Sequence, residues 1–344
     1  MGATRRPLVM RCGALGDMVL LTPFLRRLAE RYGDCVDLVS SGPWTRPLLQ
    51  GQPGVGEIHL LESRRRPYWL GPDQWRVMRA LKSFGPRPTW FLDAGGIGRH
   101  LLTRAGIGEE WIVDAEDYPR RTGEHMIERF DRIATQLPQA LGGGHAPPFA
   151  LTGTRLAVHA PARADLAGWL AARGLADRPL LLIQAGNKRT MRRGDRRRTS
   201  NTKYWPEERW AAVIDTLATR YPEHAILLLG VPSEAALNDD ILACVRSTRA
   251  ENAAADLPIP RLAALLERAD AMVTVDTGPA HVGAAVGLPM LVLFGAIEPS
   301  LYRPWSATGS AVHCLGADPR GALEALAVEP VLEALAALPL RARQ

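Results

Sequence analysis

Residues 271–281 have the sequence AMVTVDTGPAH, in which a short apolar run is followed by a turn and the start of a helix. The apolar run Ala271–Val275 predicts a buried strand. Asp276 and Thr277 are residues that cap helices, and Gly278 lets the backbone approach a ligand closely. Strand, turn and helix in this order form the repeating unit of an α/β fold with a parallel sheet.

The same alternation of short apolar runs and helix-period segments extends along the whole chain. The predicted strands are residues 8–11, 36–40, 57–61, 90–93 and 111–113 in the first half, and 180–184, 225–229, 271–275 and 290–294 in the second. A Gly- and Pro-rich stretch at 141–148 precedes a mixed segment, so we predict a linker within about 150–178. We therefore predict an α/β protein with one domain over 1–160, a second over 161–320 and a C-terminal helix over 321–344.

The composition limits the class of protein. The 344-residue chain has 42 Lys and Arg against 36 Asp and Glu, a formal net charge of +6, which suggests an anionic partner without identifying it. Its four cysteines form no CxxC pair and no metal-type spacing with His, so we expect neither a disulfide framework nor a zinc site. No uncharged apolar run reaches about 18 residues, so we expect a cytoplasmic protein that is at most peripherally attached to a membrane.

The turn after the first predicted strand, residues 11–17, has the sequence RCGALGD. Gly13 and Gly16 let the backbone turn tightly, and the N-terminus of the helix that follows favours negative charge. Open α/β sheets bind ligands in the crevice beyond the carboxyl ends of their strands, which is where this turn lies. Asp17 is therefore either a cap of this helix or a general base at the crevice.

A second turn of the same build follows Val275. Backbone N–H groups at the start of its helix make a cradle for a phosphate group. A well-capped helix that binds no ligand would explain the presence of Asp276 as well as a phosphate site does. His281, one turn into the helix, is either a structural side chain or part of a phosphate site, and both interpretations stay open here.

Arginines follow two further predicted strands of the first domain. Residues 64–66 are three consecutive arginines, and Arg99 closes a Gly-rich turn that begins at Asp93. The carboxyl ends of parallel strands share one edge, so we expect these cations on the same rim as Asp17. Adjacent arginines recognise anions in a bidentate way. The candidates for binding an anion at this rim are Arg64, Arg65, Arg66 and Arg99.

A longer basic segment, from Gly186 to Ser200, follows the first predicted strand of the second domain and leads to Lys203. Such a run is either a solvated loop or a site for an anionic ligand. Nucleic-acid binding is compatible with the charge alone. No motif of a nucleic-acid-reading module accompanies it, so we expect no nucleic-acid partner.

At this point the chain resembles glycosyltransferase family 9, the ADP-heptose:lipopolysaccharide heptosyltransferases. The matching segments occur in the family's order over about residues 7–305. They are 11–17 with 21–23, 63–66 with 93–96, 203–207, 276–281, 287–289 and 293–295. The N-terminal and C-terminal signatures together make the resemblance specific.

The resemblance implies a GT-B fold, two Rossmann-like domains facing across a cleft, with the C-terminal helix returning toward the first domain. It implies inverting transfer of heptose from ADP-heptose, without a tightly bound metal or other cofactor, to an anionic glycan or glycolipid such as the lipopolysaccharide core. It is compatible with peripheral contact at the inner membrane. The positions that match the family's catalytic and donor-binding residues are Asp17, Lys203, Asp276, Thr277, Gly278 and His281. The resemblance also implies that the arginines named above, at 64–66 and 99, meet the anionic acceptor.

Three alternatives remain beside this interpretation. The basic segment 186–200 departs from the family pattern, so the same fold can serve another nucleotide sugar or a non-core acceptor. A UDP-sugar 2-epimerase is an isomerase on the same fold. In a different class, the basic charge suits a non-catalytic nucleic-acid or phosphate-binding protein.

Overall fold

The protein is described by a computed structural model, which covers residues 6–62, 71–93, 96–148, 150–187, 201–247, 249–316 and 321–341. The chain divides into two compact units, unit 1 over Met1–Gly153 and unit 2 over Thr154–Gln344. Each unit carries helices around a sheet in which every strand pair is parallel. The predicted α/β fold class is confirmed.

In the described part of unit 1, a five-stranded sheet has the order β3-β2-β1-β4-β5. Its strands are β1 (Leu8–Met10), β2 (Val36–Ser41), β3 (Val55–Leu61), β4 (Thr89–Phe91) and β5 (Ile112–Asp114). The helices are α1 (Leu15–Leu20), α2 (Thr22–Tyr32), α3 (Thr45–Leu49), α4 (Pro72–Phe84), α5 (Gly96–Arg104) and α6 (Met126–Ala134). The strand order reverses between β1 and β4, so ligands are expected beyond the carboxyl ends of these two strands.

Unit 2 has a sheet whose described strands follow the order β11-β10-β9-β6-β7-β8. They are β6 (Leu180–Gln184), β7 (Ala225–Leu228), β8 (Ala250–Asn252), β9 (Ala271–Val275), β10 (Met290–Phe294) and β11 (Val312–Gly316). The helices are α7 (Ala160–Ala171), α8 (Glu207–Arg220), α9 (Ala235–Cys244), α10 (Ile259–Arg268), α11 (Gly278–Ala285), α12 (Pro299–Tyr302) and α13 (Val328–Ala336). Here the order reverses between β6 and β9, which marks the binding edge of this unit.

Each strand predicted from the sequence has a counterpart, but β8 and β11 were missed. Both are edge strands of the unit 2 sheet, and their residues are only partly buried. An edge strand needs no continuous apolar run, because fewer of its side chains face the core. The apolar-run criterion therefore overlooks these two, although it finds the edge strands β3 and β5 of unit 1.

The boundary between the units, at Gly153 and Thr154, falls within the predicted linker range of about 150–178, but much of that range is helix α7 and not linker. Leu166, Trp169 and Leu170 of α7 are buried, and Trp169 Nε1 donates to Asp256 Oδ2 over 2.8 Å. The Ala-rich sequence of α7 hides this packing face, since a small side chain gives little periodic contrast.

The division between the units lies before the predicted boundary at residue 160. Thr154 N–H donates to the carbonyl of Trp305 over 2.7 Å, and Leu156 N–H donates to the carbonyl of Ala285 over 2.9 Å. These bonds join residues 154–156 to unit 2. The described tail also belongs to unit 2, because α13 packs into the core beside α8. Within the described residues, no helix is long and apolar enough to cross a bilayer.

Candidate active site

The turn after β1 forms the first half-site, at the carboxyl edge of unit 1. A Cβ atom added at Gly13 would lie 2.5 Å from Asp17 Cβ, so a side chain at Gly13 would displace Asp17. Trp44 Nε1 donates to the Gly13 carbonyl over 3.2 Å and holds the turn from the other side. Gly16 was predicted to lie in the turn, but it lies inside α1. Glycine is thus required at position 13 for a steric reason.

Asp17 lies in the first turn of α1, three residues after the N-cap Ala14. Its Oδ2 accepts a hydrogen bond from the Ala14 N–H over 2.9 Å, and its Oδ1 lies 3.6 Å from Arg11 Nη2. The Asp17 side chain is 31% exposed. The carboxylate therefore stabilises the helix start with one oxygen and presents the other beside a guanidinium, so capping and catalysis do not exclude each other.

Arg11 and Asp93 join the turns after β1 and β4. Arg11 Nη1 donates to the Leu92 carbonyl over 2.7 Å and lies 3.8 Å from Asp93 Oδ1. Both oxygens of Asp93 accept from the Cys12 N–H, at 2.8 and 3.0 Å. Arg11 thus lies beside two carboxylates, of which Asp17 is the more exposed. Arg11 was not among the site residues predicted from the sequence, although it is the first residue of the turn RCGALGD.

Of the four predicted acceptor-side arginines, the structure describes only Arg99. Arg64, Arg65 and Arg66 lie outside the described residues, as does most of the basic segment 186–200. Arg99 on α5 forms ion pairs with Glu109 and Asp114. Hydrogen bonds with Glu109 and the charges of both carboxylates raise the pKa of Arg99 above its usual value, against the effect of burial. Arg99 therefore ties α5 to the segment that leads into β5, and its contact with an acceptor stays a prediction.

The second half-site lies at the carboxyl edge of unit 2, where Lys203 meets Asp276. Lys203 Nζ donates to Asp276 Oδ2 over 2.5 Å and to the Asp276 carbonyl over 2.8 Å. The Asp276 side chain is 8% exposed and that of Lys203 is 25% exposed. The sequence predicted both residues for the donor side, and the structure brings them into direct contact across 73 positions of the chain.

The N-terminus of α11 lies next to this ion pair. The helix begins at Gly278, its N-cap is Thr277, and no described side chain caps its first N–H groups. Such a helix end attracts anions, because its backbone donors and its dipole both favour negative charge. His281 is buried one turn into the helix, with Nε2 at 4.0 Å from Asp276 Oδ1. The structure thus brings these predicted donor-side residues together, and their binding of a phosphate group stays a prediction.

The segment that carries Lys203 is held rigidly against β10. A Cβ atom added at Gly295 would lie 1.9 Å from the Thr202 carbonyl oxygen, which itself accepts from the Leu323 N–H over 2.9 Å. Trp205 is 1% exposed, and its Nε1 donates to the Leu326 carbonyl over 2.8 Å. Glycine at position 295 is therefore required for the close approach of two backbones, a role that sequence reasoning did not find.

A further acidic residue at this edge, Glu234, was missed by the sequence analysis. It follows β7 and is 4% exposed. Its Oε2 accepts from the Val231 N–H over 3.0 Å and from Gln184 Nε2 over 3.3 Å. Burial raises the pKa of the Glu234 carboxyl above its usual value. No local motif surrounds Glu234, so only the folded sheet brings it next to the end of β6. Among the described residues, no group of three His, Cys, Asp or Glu side chains is placed to hold a metal ion.

Comparison with known sequences gives the family. The sequence profile of glycosyltransferase family 9 (heptosyltransferase) matches residues 103–321, more than half of the chain. The chain belongs to glycosyltransferase family 9. The profile match includes Lys203 and Asp276 and begins after the first half-site, so it covers the donor-side candidates and leaves out Asp17.

Two curated relatives and one solved structure extend this comparison of the family 9 chain. Lipopolysaccharide heptosyltransferase 3 of Escherichia coli is 35% identical over 111 residues, which span 30% of this chain and only 31% of the relative. Lipopolysaccharide heptosyltransferase 2 of Salmonella typhimurium is 22% identical over 321 residues, 85% of this chain and 83% of the relative. The structure of E. coli ADP-heptose lipopolysaccharide heptosyltransferase II has a TM-score of 0.72 at 21% identity, covering 96% and 98% of the two chains. This likeness confirms the predicted GT-B fold class.

Proposed function

We propose that the chain is an inverting glycosyltransferase that transfers heptose from ADP-heptose to a hydroxyl group of an anionic glycan such as the lipopolysaccharide core. The observation that carries the proposal is the Lys203–Asp276 pair beside the start of α11, within the part of the chain that matches the family. The names of the relatives, which are lipopolysaccharide heptosyltransferases, support the donor and the acceptor class.

Unit 2 would bind the nucleotide sugar. The first N–H groups of α11 and the Lys203 ammonium provide donors for a diphosphate, with Thr277 and Gly278 at the helix start. As the bond between the sugar and ADP breaks, negative charge grows on the phosphate oxygens. A fixed cation and helix N–H groups stabilise that charge without reorganising. Asp276 orients Lys203 through a charge-assisted hydrogen bond from Lys203 to its Oδ2, and His281 Nε2 lies 4.0 Å from its Oδ1.

Glu234 suits the ribose of the nucleotide. In a Rossmann unit, an acidic side chain at the end of the second strand accepts hydrogen bonds from ribose hydroxyls. Glu234 follows β7, the second strand of unit 2 in chain order. Its partners Gln184 and Val231 hold the carboxyl group at the carboxyl edge of the sheet. We therefore assign Glu234 to the nucleoside end of the donor.

Asp17 would act as the general base. An acceptor hydroxyl is a weak nucleophile, and a carboxylate within hydrogen-bond reach takes its proton as the oxygen attacks the anomeric carbon. The bond from that carbon to the ADP oxygen breaks in the same step, so the configuration inverts. Of the two carboxylates beside Arg11, that of Asp17 is the more exposed, which supports Asp17 over Asp93 for this role.

The remaining parts of the proposal concern the acceptor and the setting of the reaction. We assign Arg64, Arg65, Arg66 and Arg99 to the anionic acceptor. We propose that transfer needs no tightly bound metal and that the enzyme acts in the cytoplasm, on the inner face of the membrane.

Product analysis tests this function. Mass spectrometry of a truncated lipopolysaccharide acceptor incubated with ADP-heptose should show the mass of one added heptose, with one ADP released per transfer. NMR of the product should show the anomeric configuration opposite to that of the donor. In thermal-shift assays ADP should stabilise the protein more than UDP or GDP does. At 100 times its Kd, ADP should add about 2.7 kcal/mol to the free energy of unfolding. Transfer from a UDP- or GDP-sugar, with none from ADP-heptose, would overturn the donor assignment.

A further inference from the structure

The C-terminal tail of unit 2 packs against the stretch of chain that carries Lys203. Leu323 and Leu326 of the tail are buried in the core of this unit. The Leu323 N–H donates to the Thr202 carbonyl over 2.9 Å. Trp205 Nε1 donates to the Leu326 carbonyl over 2.8 Å. Lys203 therefore lies between two residues that are bonded to the tail.

Arg209, in the first turn of α8, forms a further link to the tail. Its Nη1 donates to the Glu324 carbonyl over 2.6 Å and to the Leu326 carbonyl over 2.7 Å. A carbonyl oxygen has two lone pairs, so the Leu326 carbonyl accepts from Arg209 and Trp205 together. Hydrogen bonds from a charged donor are stronger than those between neutral groups. Arg209 thus fastens the tail to the beginning of α8.

Gly295 marks how closely the bonded backbones approach each other. A Cβ atom added at Gly295 would lie 1.9 Å from the Thr202 carbonyl oxygen and 3.4 Å from the Leu323 nitrogen. The Lys203 side chain is a flexible stem that ends in a point charge. The position of its ammonium group therefore depends on its backbone as well as on its ion pair with Asp276. The tail is part of what fixes that backbone.

We propose that Arg209 is a positioning residue for the donor. It holds the tail against residues 202–205, and through them it keeps the Lys203 ammonium where a diphosphate binds. A fixed cation stabilises negative charge without reorganising, whereas a cation that must first be ordered loses part of this effect. The inference rests on the proposed function and deepens it by adding a residue that acts on the donor only through Lys203.

Arg220 gives a comparison at the other end of α8. Its Nη2 donates to the Ala336 carbonyl of α13 over 2.9 Å, so Arg220 also joins α8 to the tail. At about 1.5 Å per residue, roughly 16 Å of helix separates Arg220 from Arg209. Arg220 therefore makes the same kind of bond to the tail, but far along the helix from Lys203.

Calorimetry with ADP tests the role of Arg209. Arg209→Met should raise the ADP Kd about three- to tenfold, because Lys203 must then be ordered when ADP binds. Arg220→Met removes the same charge and a bond of the same kind, and it should leave the ADP Kd unchanged. Arg209→Lys keeps a cationic donor and should recover part of the affinity. Binding is measured well below the melting temperature of each variant, which records the loss of stability separately.

A double-mutant cycle shows whether Arg209 acts through Lys203. In the Lys203→Ala background, Arg209→Met should cause no further loss of ADP affinity, because the group that it positions is absent. A loss of the same size in both backgrounds would overturn the proposal. An unchanged ADP Kd in Arg209→Met, or an equal loss in Arg220→Met, would also overturn it. These results leave the proposed function intact, whereas failure of the unchanged chain to bind ADP would overturn the proposed function and this inference with it.

Discussion

Lys203 Nζ donates a hydrogen bond to Asp276 Oδ2 over 2.5 Å, although the two residues are 73 positions apart. Lys203 lies between β6 and α8 in the chain, and Asp276 is the first residue after β9, so the pair joins the two strands at which the order of the unit 2 sheet reverses. This position is where doubly wound sheets bind nucleotides. The pair therefore places a cation at the expected diphosphate position and fixes its orientation.

Replacing Lys203 should weaken donor binding. Lys203→Ala removes a charge-assisted contact to phosphate, which costs on the order of 1.5–3 kcal/mol, so the donor KM and the ADP Kd should rise roughly 10- to 100-fold. The acceptor KM should change little. The exposed Lys82→Ala is the control and should leave donor constants unchanged. Calorimetry with ADP and initial-rate kinetics measure both effects.

The same substitution leaves Asp276 buried without its cation, which should also lower the melting temperature. The double variant Lys203→Ala/Asp276→Asn removes that unpaired charge, so it should regain stability but not ADP affinity. If ADP affinity returned together with stability, the assignment of Lys203 to the phosphate would be wrong.

A methyl group at Gly295 should disturb the same site from the other side of the loop. In Gly295→Ala the new Cβ would meet the Thr202 carbonyl oxygen at 1.9 Å, so the backbone before Lys203 must move. We expect a loss of about 1–3 kcal/mol in the free energy of unfolding and weaker ADP binding. Gly168→Ala, in the middle of α7 with no atom within 4 Å of its new Cβ, is the matched control. It should stabilise the protein by about 0.5–1 kcal/mol. Equal behaviour of the two variants would refute the close-approach argument.

Glu234 should make the stability depend on pH. Burial raises the pKa of its carboxyl above the usual 4.5 or so, which means that the folded state holds the proton more tightly than the unfolded state. The cost of burying the charge is therefore absent below about pH 4.5 and grows as pH rises toward the folded-state pKa. Glu234→Gln removes this cost, so the stability of this variant relative to the wild type should rise as the pH rises above about 4.5.

Denaturant unfolding at a series of pH values measures the difference in the free energy of unfolding between Glu234→Gln and the wild type. The exposed Glu223→Gln is the control and should show no such rise. A gap between Glu234→Gln and the wild type that stays constant with pH, or that shrinks as pH rises, would contradict the assigned direction.

Removing the guanidinium beside Asp17 should slow turnover without affecting ADP binding. Arg11 lies 3.6 Å from Asp17 Oδ1 and holds the turn through the Leu92 carbonyl. Arg11→Met should lower kcat roughly fivefold, because the Asp17 carboxylate loses an orienting ion pair that is worth about 1 kcal/mol. Arg11→Lys keeps the charge and should recover part of the rate. Full activity of Arg11→Met would show that Asp17 needs no support from this side.

The sequence was sufficient to predict the central strands and the turns after β1 and β9. Both follow from local patterns, an apolar run and then residues that cap a helix or relax the backbone. The edge strands β8 and β11 lack that pattern, because the core covers them only in part. The role of Gly295 and the place of Glu234 at the site could not be predicted for a different reason. Their partners, Thr202 and Gln184, lie far away in the chain. Such contacts exist only once the sheet has formed.

The most direct test of the account is the turnover of Asp17→Asn, measured together with its melting temperature and its ADP affinity. The amide oxygen can still accept from the Ala14 N–H, so the helix start should hold and the melting temperature should change little. ADP affinity should also stay unchanged. Turnover should fall by ~10²–10⁴, because an amide cannot take the proton of the acceptor hydroxyl. A folded Asp17→Asn variant that retains more than about a tenth of the wild-type turnover would contradict the assignment of Asp17 as the base.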